Sequence, residues 1–129
     1  GTVFVSVRDR DKDAIISLCE ELTDMGFKVI ATRGTAAALR AAGVAVRTIN
    51  KVAEGRPHLV DAITDGEVDL IFNTTQGAQA ISDSFGLRHA ALINGVPYFT
   101  TVAGSRAAVS GISALRRGAL EVATLQSYT

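Results

Sequence analysis

Apolar residues recur along this chain with two alternating periods, every second position over short runs and every third or fourth over longer ones. The first pattern marks strands, the second marks helices packed on one face. Val3-Phe4-Val5-Ser6-Val7 reads as an opening strand. Asp11 stands where an N-cap belongs, and Ile15, Leu18, Cys19, Leu22 and Met25 follow at helical spacing until Gly26 closes the helix. Phe27 to Ala31 makes a second strand. Thr35 is expected to cap a short Ala-rich helix that Gly43 ends, and Val44 to Ile49 makes a third strand. A polar loop from Lys51 to Pro57 leads into a helix with Leu59, Val60 and Ile63 inward, ended by Gly66. Val68 to Phe72 is almost unbroken in its apolarity, as befits a strand buried on both faces. The next helix lies within Ser82 to Ile93, with Leu87, Ala90 and Ala91 inward. Gly95-Val96-Pro97 turns into a fifth strand, Tyr98-Phe99-Thr100. Ser105 to Arg117 reads as the last long helix, with Ala108, Ile112 and Leu115 inward, and Leu120-Glu121-Val122-Ala123 as a short edge strand.

Strands alternating with helices predict the α/β class, here a three-layer α/β/α sandwich. Right-handed crossovers make its five-stranded, mainly parallel sheet doubly wound. Neither an internal repeat nor an interdomain linker interrupts the pattern, so residues 1–129 read as a single domain. Its apolar content of 47% and mean hydropathy of +0.25 suffice to fill one core. Thirteen basic residues balance thirteen acidic ones, which argues against a partner that is a nucleic acid polymer or a membrane surface. Apolar runs fall short of the roughly 20 residues that span a bilayer, and no signal peptide pattern is present, so a cytoplasmic protein is the default. Cys19, on the apolar face of its helix, reads as a buried inert thiol. The chain opens inside a strand pattern without an initiator Met, which reads as a fragment of something longer.

Three strands hand over to small hydroxyl, amide and basic residues: Thr32-Arg33-Gly34-Thr35, Asn50-Lys51 and Asn73-Thr74-Thr75. The carboxyl ends of neighbouring parallel strands lie side by side, so these turns should converge on one crevice. Hydrogen-bond donors and positive charge with almost no acid are the walls of an anion pocket, best suited to a phosphate. Gly34 would let the backbone approach a ligand closely or adopt a positive φ. Lys12, at the start of the first helix, would overlook the same crevice, where a cation at a helix N-terminus is best explained by an anion beside it. Lys51 offers a second cation, and Arg56 a fork of donors suited to phosphate or carboxylate. Asn73-Thr74-Thr75-Gln76-Gly77 forms a neutral, hydroxyl-rich turn that Gly77 frees. Asp83 is a helix-capping residue or a group at the site's edge, and His58 beside Pro57 favours a packing role.

Two isolated histidines and one cysteine give no metal-ligand spacing. Walker-type and Gly-x-Gly-x-x-Gly loops are absent, and no Ser/His/Asp set assembles, so no catalytic residue is assigned.

Several segments, read in order, resemble the methylglyoxal-synthase-like domains. They are Ser6-Val7-Arg8 with Asp11-Lys12, Ala31-Thr32-Arg33-Gly34-Thr35-Ala36, Asn50-Lys51-Val52 with Glu54-Gly55-Arg56-Pro57, Asn73-Thr74-Thr75, and Arg88-His89-Ala90-Ala91-Leu92. The resemblance is strongest to the branch formed by the C-terminal allosteric domains of carbamoyl-phosphate synthetase large subunits. It implies a methylglyoxal-synthase-like sandwich of flavodoxin-like topology and a site for a nucleotide effector of the UMP or IMP type. Carried over by position, the phosphate contacts are Lys12, Thr32 and Thr35, with Lys51 and Asn73-Thr74-Thr75 completing the pocket and Ser6 lining it. Asn50, Arg33 and Gly34 belong to the same loops. Basic residues common after the Asn-Thr-Thr turn are replaced here by Ala78-Gln79, and Arg33 stands in a position where histidine is common. The implied parent is an ATP-dependent ligase using Mg2+ (or Mn2+) and K+, partnered by a small glutaminase subunit, while this domain itself takes no cofactor. The resemblance also offers a lyase acting on dihydroxyacetone phosphate. Against it, Arg56 stands where that enzyme has its catalytic aspartate, and an arginine cannot act as a base at neutral pH. An interaction module, and a homo-oligomer, stay open.

Overall fold

Thr2–Ser6 forms β1, and the alternation of its side chains sets the architecture. The computed structural model describes residues 1–49, 59–74 and 78–127, with side chains described there except at 59, 78–85 and 119–127. Val3 and Val5 face one core, Phe4 the other, all with at most 1% exposure. Helix α1 (Lys12–Asp24) follows a 3-10 turn at Asp9–Asp11 and leads to β2 (Lys28–Ala31). Helix α2 (Arg33–Ala41) leads to β3 (Arg47–Thr48), and α3 (Leu59–Thr64) to β4 (Leu70–Asn73). Helix α4 (Ala78–Ile93), β5 (Tyr98–Phe99) and α5 (Val102–Ser127) complete the chain.

The sheet runs β3-β2-β1-β4-β5 and is parallel throughout, β1 being central. Ile15, Leu18, Cys19 and Leu22 of α1, Ala36 and Leu39 of α2 and Val109 of α5 pack on one face. Ala62 and Ile63 of α3 and Leu87, Ala90 and Ala91 of α4 pack on the other. Helices on both faces of a parallel sheet make the expected three-layer, doubly wound sandwich. Among the described residues no helix is long and apolar enough to cross a membrane.

Helices α1 to α4 end in one way. Each is followed by a glycine of positive φ, namely Gly26, Gly43, Gly66 and Gly95. The next residue's N–H returns to a carbonyl in the last turn, as Val44 does to Leu39 at 2.9 Å. This closure needs the left-handed region, which a Cβ disfavours. Nothing lies within 4 Å of a Cβ built on Gly43, so Gly43→Ala tests the backbone alone. It should cost about 1–2 kcal/mol, read by urea denaturation.

Several boundaries differ from the sequence reading. The fourth and fifth helices start earlier, at Ala78 and Val102 rather than Ser82 and Ser105. The third strand shrinks to Arg47–Thr48. Leu120-Glu121-Val122-Ala123 is the end of α5, not an edge strand. Extending a formed helix costs less than nucleating a strand, and Gly118 alone does not stop it. Leu115 is 76% exposed rather than inward. A 26-residue helix is about 39 Å long, well beyond the roughly 17 Å of a five-residue strand, so its later turns outrun the sheet.

Candidate functional site

Neighbouring β1 and β4 send their following helices to opposite faces, which opens a crevice at their carboxyl ends. Thr32, Thr35, Asn73 and Thr74 gather at this edge with 3–4% exposure, and Ser6 is paired in register with Asn73. Buried polar groups need partners, and here the partners are each other and the turn after β1. The Thr32 hydroxyl donates to Ser6 Oγ at 3.2 Å. The Val7 N–H donates to Thr35 Oγ1 at 3.2 Å, the Arg8 N–H to Thr74 Oγ1 at 3.0 Å, and the Thr74 N–H to the Ser6 carbonyl at 3.0 Å. An accepting hydroxyl keeps its own proton to donate, so Thr35 combines a structural bond with a donor.

Thr32, not Thr35, is the N-cap of α2. Its backbone is extended (φ −66°, ψ 160°), and its side chain turns to Ser6 instead of capping. Gly34 has an ordinary helical backbone in the second position of α2, so the positive-φ alternative does not hold. Arg33 opens the helix and is exposed. The first intrahelical bond is Ala36 N–H to the Thr32 carbonyl at 2.7 Å. The N–H groups ahead of it leave the helix end at the carboxyl edge of the sheet. Lys12 begins α1, and its Nζ lies 3.6 Å from a Cβ built on Gly34. The ammonium group therefore sits over the first turn of α2.

The crevice is not free of acid. The sequence assigned Asp11 to capping, but the 3-10 turn brings both Asp9 and Asp11 to the rim, and Asp11 makes no capping bond. Asp9 Oδ1 pairs with Lys12 Nζ at 2.5 Å, and Asp11 Oδ2 with Arg8 Nε at 2.7 Å. The hydrogen bond and charge of Lys12 hold Asp9 below the usual carboxylate range. Burial pushes Asp11 up, but hydrogen bonds from Arg8 and Thr74 and the charges of Arg8 and Arg10 outweigh it, leaving this carboxyl lowered too. A carboxyl lowered by folding contributes stability above its ordinary pKa of about 4, lost as pH falls through the folded value. Asp11→Asn should therefore narrow the stability difference between neutral and acidic pH, measured by urea denaturation at both.

Asn73 Nδ2 donates to Tyr98 Oη at 2.5 Å, and the Arg88 guanidinium lies 5.3 Å from the centroid of the Tyr98 ring. Sequence reasoning passed over Tyr98 as the aromatic that opens a strand, and no signal in the sequence tied its hydroxyl to Asn73 on the neighbouring strand. Asn50, Lys51, Arg56, Thr75 and Gly77 lie outside the described residues, as do Glu54, Pro57, His58 and Gln76. Asp83 falls within α4, its side chain outside the described set, as are those of Ala78 and Gln79. Thus Ser6, Lys12, Thr32, Gly34, Thr35, Asn73 and Thr74 meet at one edge, with Arg33 on its surface. Among the described residues no group of three or more His, Cys, Asp or Glu could hold a metal ion.

The carbamoyl phosphate synthase large chain of Rhizobium meliloti is 56% identical over 128 residues, 99% of this chain and 11% of the relative. That of Brucella suis is 52% identical, and that of Myxococcus xanthus 46%, with the same 99% of this chain covered. The chain thus spans 11–12% of the length of these relatives. A methylglyoxal synthase from Elizabethkingia anophelis NUHP1 superposes with a TM-score of 0.67 over 84% of this chain and 76% of that one. At 17% identity this likeness speaks for the fold alone. The sequence model of the MGS-like domain family matches residues 14–100, from the first turns of α1 to the end of β5, and the chain belongs to that family.

Proposed function

We propose that this chain is the effector-binding regulatory domain of a carbamoyl phosphate synthase large chain, and that its crevice holds a nucleotide of the UMP or IMP type. The observation carrying this reading is the Lys12 ammonium over the first turn of α2. In the free chain Asp9 offsets this cation, but the Asp9 side chain is 92% exposed, and an anion placed between the ammonium and the helix end gains from both. The effector's phosphate docks there, with Lys12 and Lys51 as counter-charges and Thr32, Thr35 and the Arg33-Gly34 turn as donors. Ser6, Asn50, Asn73, Thr74 and Thr75 line the remainder, with Arg56, Gly77 and Asp83 at its edge. The ligand tunes ATP use elsewhere in a cytoplasmic ligase that takes Mg2+ (or Mn2+) and K+, receives nitrogen through a small glutaminase subunit, and serves pyrimidine and arginine biosynthesis. Such coupling requires two states of the larger protein that bind the effector with different affinity.

This domain performs no proton abstraction in that role. A general base must titrate near working pH within reach of its proton. Asp9 and Asp11, the described carboxylates at the crevice, are ion-paired and lowered. Calorimetry of the 129-residue chain against UMP, IMP and inorganic phosphate tests the reading. Saturable binding of a nucleotide is expected, and a folded sample that binds none of the three overturns it. Methylglyoxal release from dihydroxyacetone phosphate would favour the lyase instead.

A further inference from the structure

Three neighbouring strands end in polar side chains, and a fourth sets a tyrosine beside them. Thr32 follows β2, Ser6 ends β1, Asn73 ends β4, and Tyr98 opens β5 at the level of Ile71, its ring long enough to bring the hydroxyl to Asn73. Alternation puts them on one face, because Ile30, Phe4 and Ile71, two residues earlier on the first three strands, and Tyr98 itself all belong to the α3/α4 core. Within the row Thr32 bonds Ser6, Ser6 is paired in register with Asn73, and Asn73 bonds Tyr98. Lys12 enters the crevice from α1, which packs on the opposite face. The crevice therefore has the Lys12 cation at its α1 and α2 end, while the side chains of the row itself carry no charge and the nearby Arg88 guanidinium lies over the Tyr98 ring.

We propose that Tyr98 is a positioning residue of this crevice, fixing the Asn73 amide for the uncharged, hydrogen-bonding part of a nucleotide ligand. The proposal rests on the effector reading above. An asparagine amide carries donors on one branch and an acceptor on the other, so tying the nitrogen down also aims the oxygen. Tyr98 Oη takes the nitrogen at 2.5 Å. Its ring is itself held, half-buried against the α3/α4 core with the Arg88 guanidinium over its face. Asn73 is 4% exposed, which leaves a misdirected amide little water to turn to. Positive charge does not distinguish one nucleotide from another, whereas a fixed amide does.

Tyr98→Phe removes the hydroxyl and keeps the ring. In calorimetry it should weaken UMP or IMP binding about two- to tenfold, the range of one hydrogen bond, and leave inorganic phosphate binding unchanged. In an Asn73→Ala background the same substitution should have no further effect, because Tyr98 acts through Asn73. Equal nucleotide binding by Tyr98→Phe and the unmodified chain overturns the proposal, as does a loss that persists without Asn73. If the unmodified chain binds no nucleotide, the effector reading fails by itself. Hydrogen exchange at Asn73 Nδ2 then decides the positioning role: protection in the unmodified chain that Tyr98→Phe removes supports it. Absent protection, or protection that survives the substitution, overturns it.

Discussion

Lys12→Ala should weaken nucleotide binding at least about tenfold while leaving the fold intact. A hydrogen bond between an ammonium and a phosphate contributes roughly 1.5–3 kcal/mol, which corresponds to a tenfold or larger change in Kd. Lys12 begins α1 and belongs to neither core, so truncating it leaves the packing of both faces alone. In the free chain its ammonium pairs with Asp9, whose side chain is 92% exposed. The Lys12 side chain is 22% exposed, but solvent on the Asp9 side screens the pair to no more than about 1 kcal/mol, so its loss costs little stability. Calorimetry of the variant beside a thermal melt separates the two effects. A melting temperature lowered by no more than a few degrees, with lost affinity for both UMP and inorganic phosphate, is expected. Unchanged affinity would remove Lys12 from the site.

Phe72→Ala should have the opposite signature. Phe72 is fully buried on β4, and its ring meets Phe99 edge to face, with centroids 6.1 Å apart and an interplanar angle of 68°. Truncating a buried phenylalanine costs about 3–5 kcal/mol through lost burial and the cavity left behind. The whole fold is held by only about 5–15 kcal/mol. The melting temperature should fall by roughly 10–20 °C, and part of the sample should be unfolded at 37 °C. Leu115→Ala is the matched control. That leucine is 76% exposed, and its loss should change stability by less than about 0.5 kcal/mol.

The sheet was legible because its strands carry their burial in their own residues. Leu70, Ile71 and Phe72 are at most 4% exposed, as their unbroken apolarity requires. Helix stops were legible at Gly26, Gly43 and Gly66, and Gly95, read as part of a turn, closes α4 in the same way, because glycine does this job more easily than any other residue. Starts were less so. Thr32 and Thr35 are both plausible caps by type, and a tertiary bond to Ser6 occupies Thr32 while the Val7 N–H claims Thr35. Leu115 misled because helical period says which face a residue lies on but not whether anything is packed there. At the crevice, the hydroxyl and amide residues that follow the strands do come together along one edge, as their places after parallel strands require. The pairing of Asp9 with Lys12 and Asp11 with Arg8 was hidden because it depends on a single turn of 3-10 helix. The bond between Asn73 and Tyr98 was hidden because it joins residues on two strands far apart in the chain.

Cys19 has a use beyond packing. It is the one cysteine in the chain, it has no exposed surface, and burial with the nearby Glu20 charge pushes its thiol up to about 12. Sulfur in that state hardly reacts with a disulfide reagent at neutral pH. Labelling must therefore wait until α1 lifts from the sheet, and its rate counts those openings. The protein carries a built-in clock for its own breathing, readable with a coloured thiol reagent and no engineered probe. Any ligand that clamps α1 in place would slow that clock.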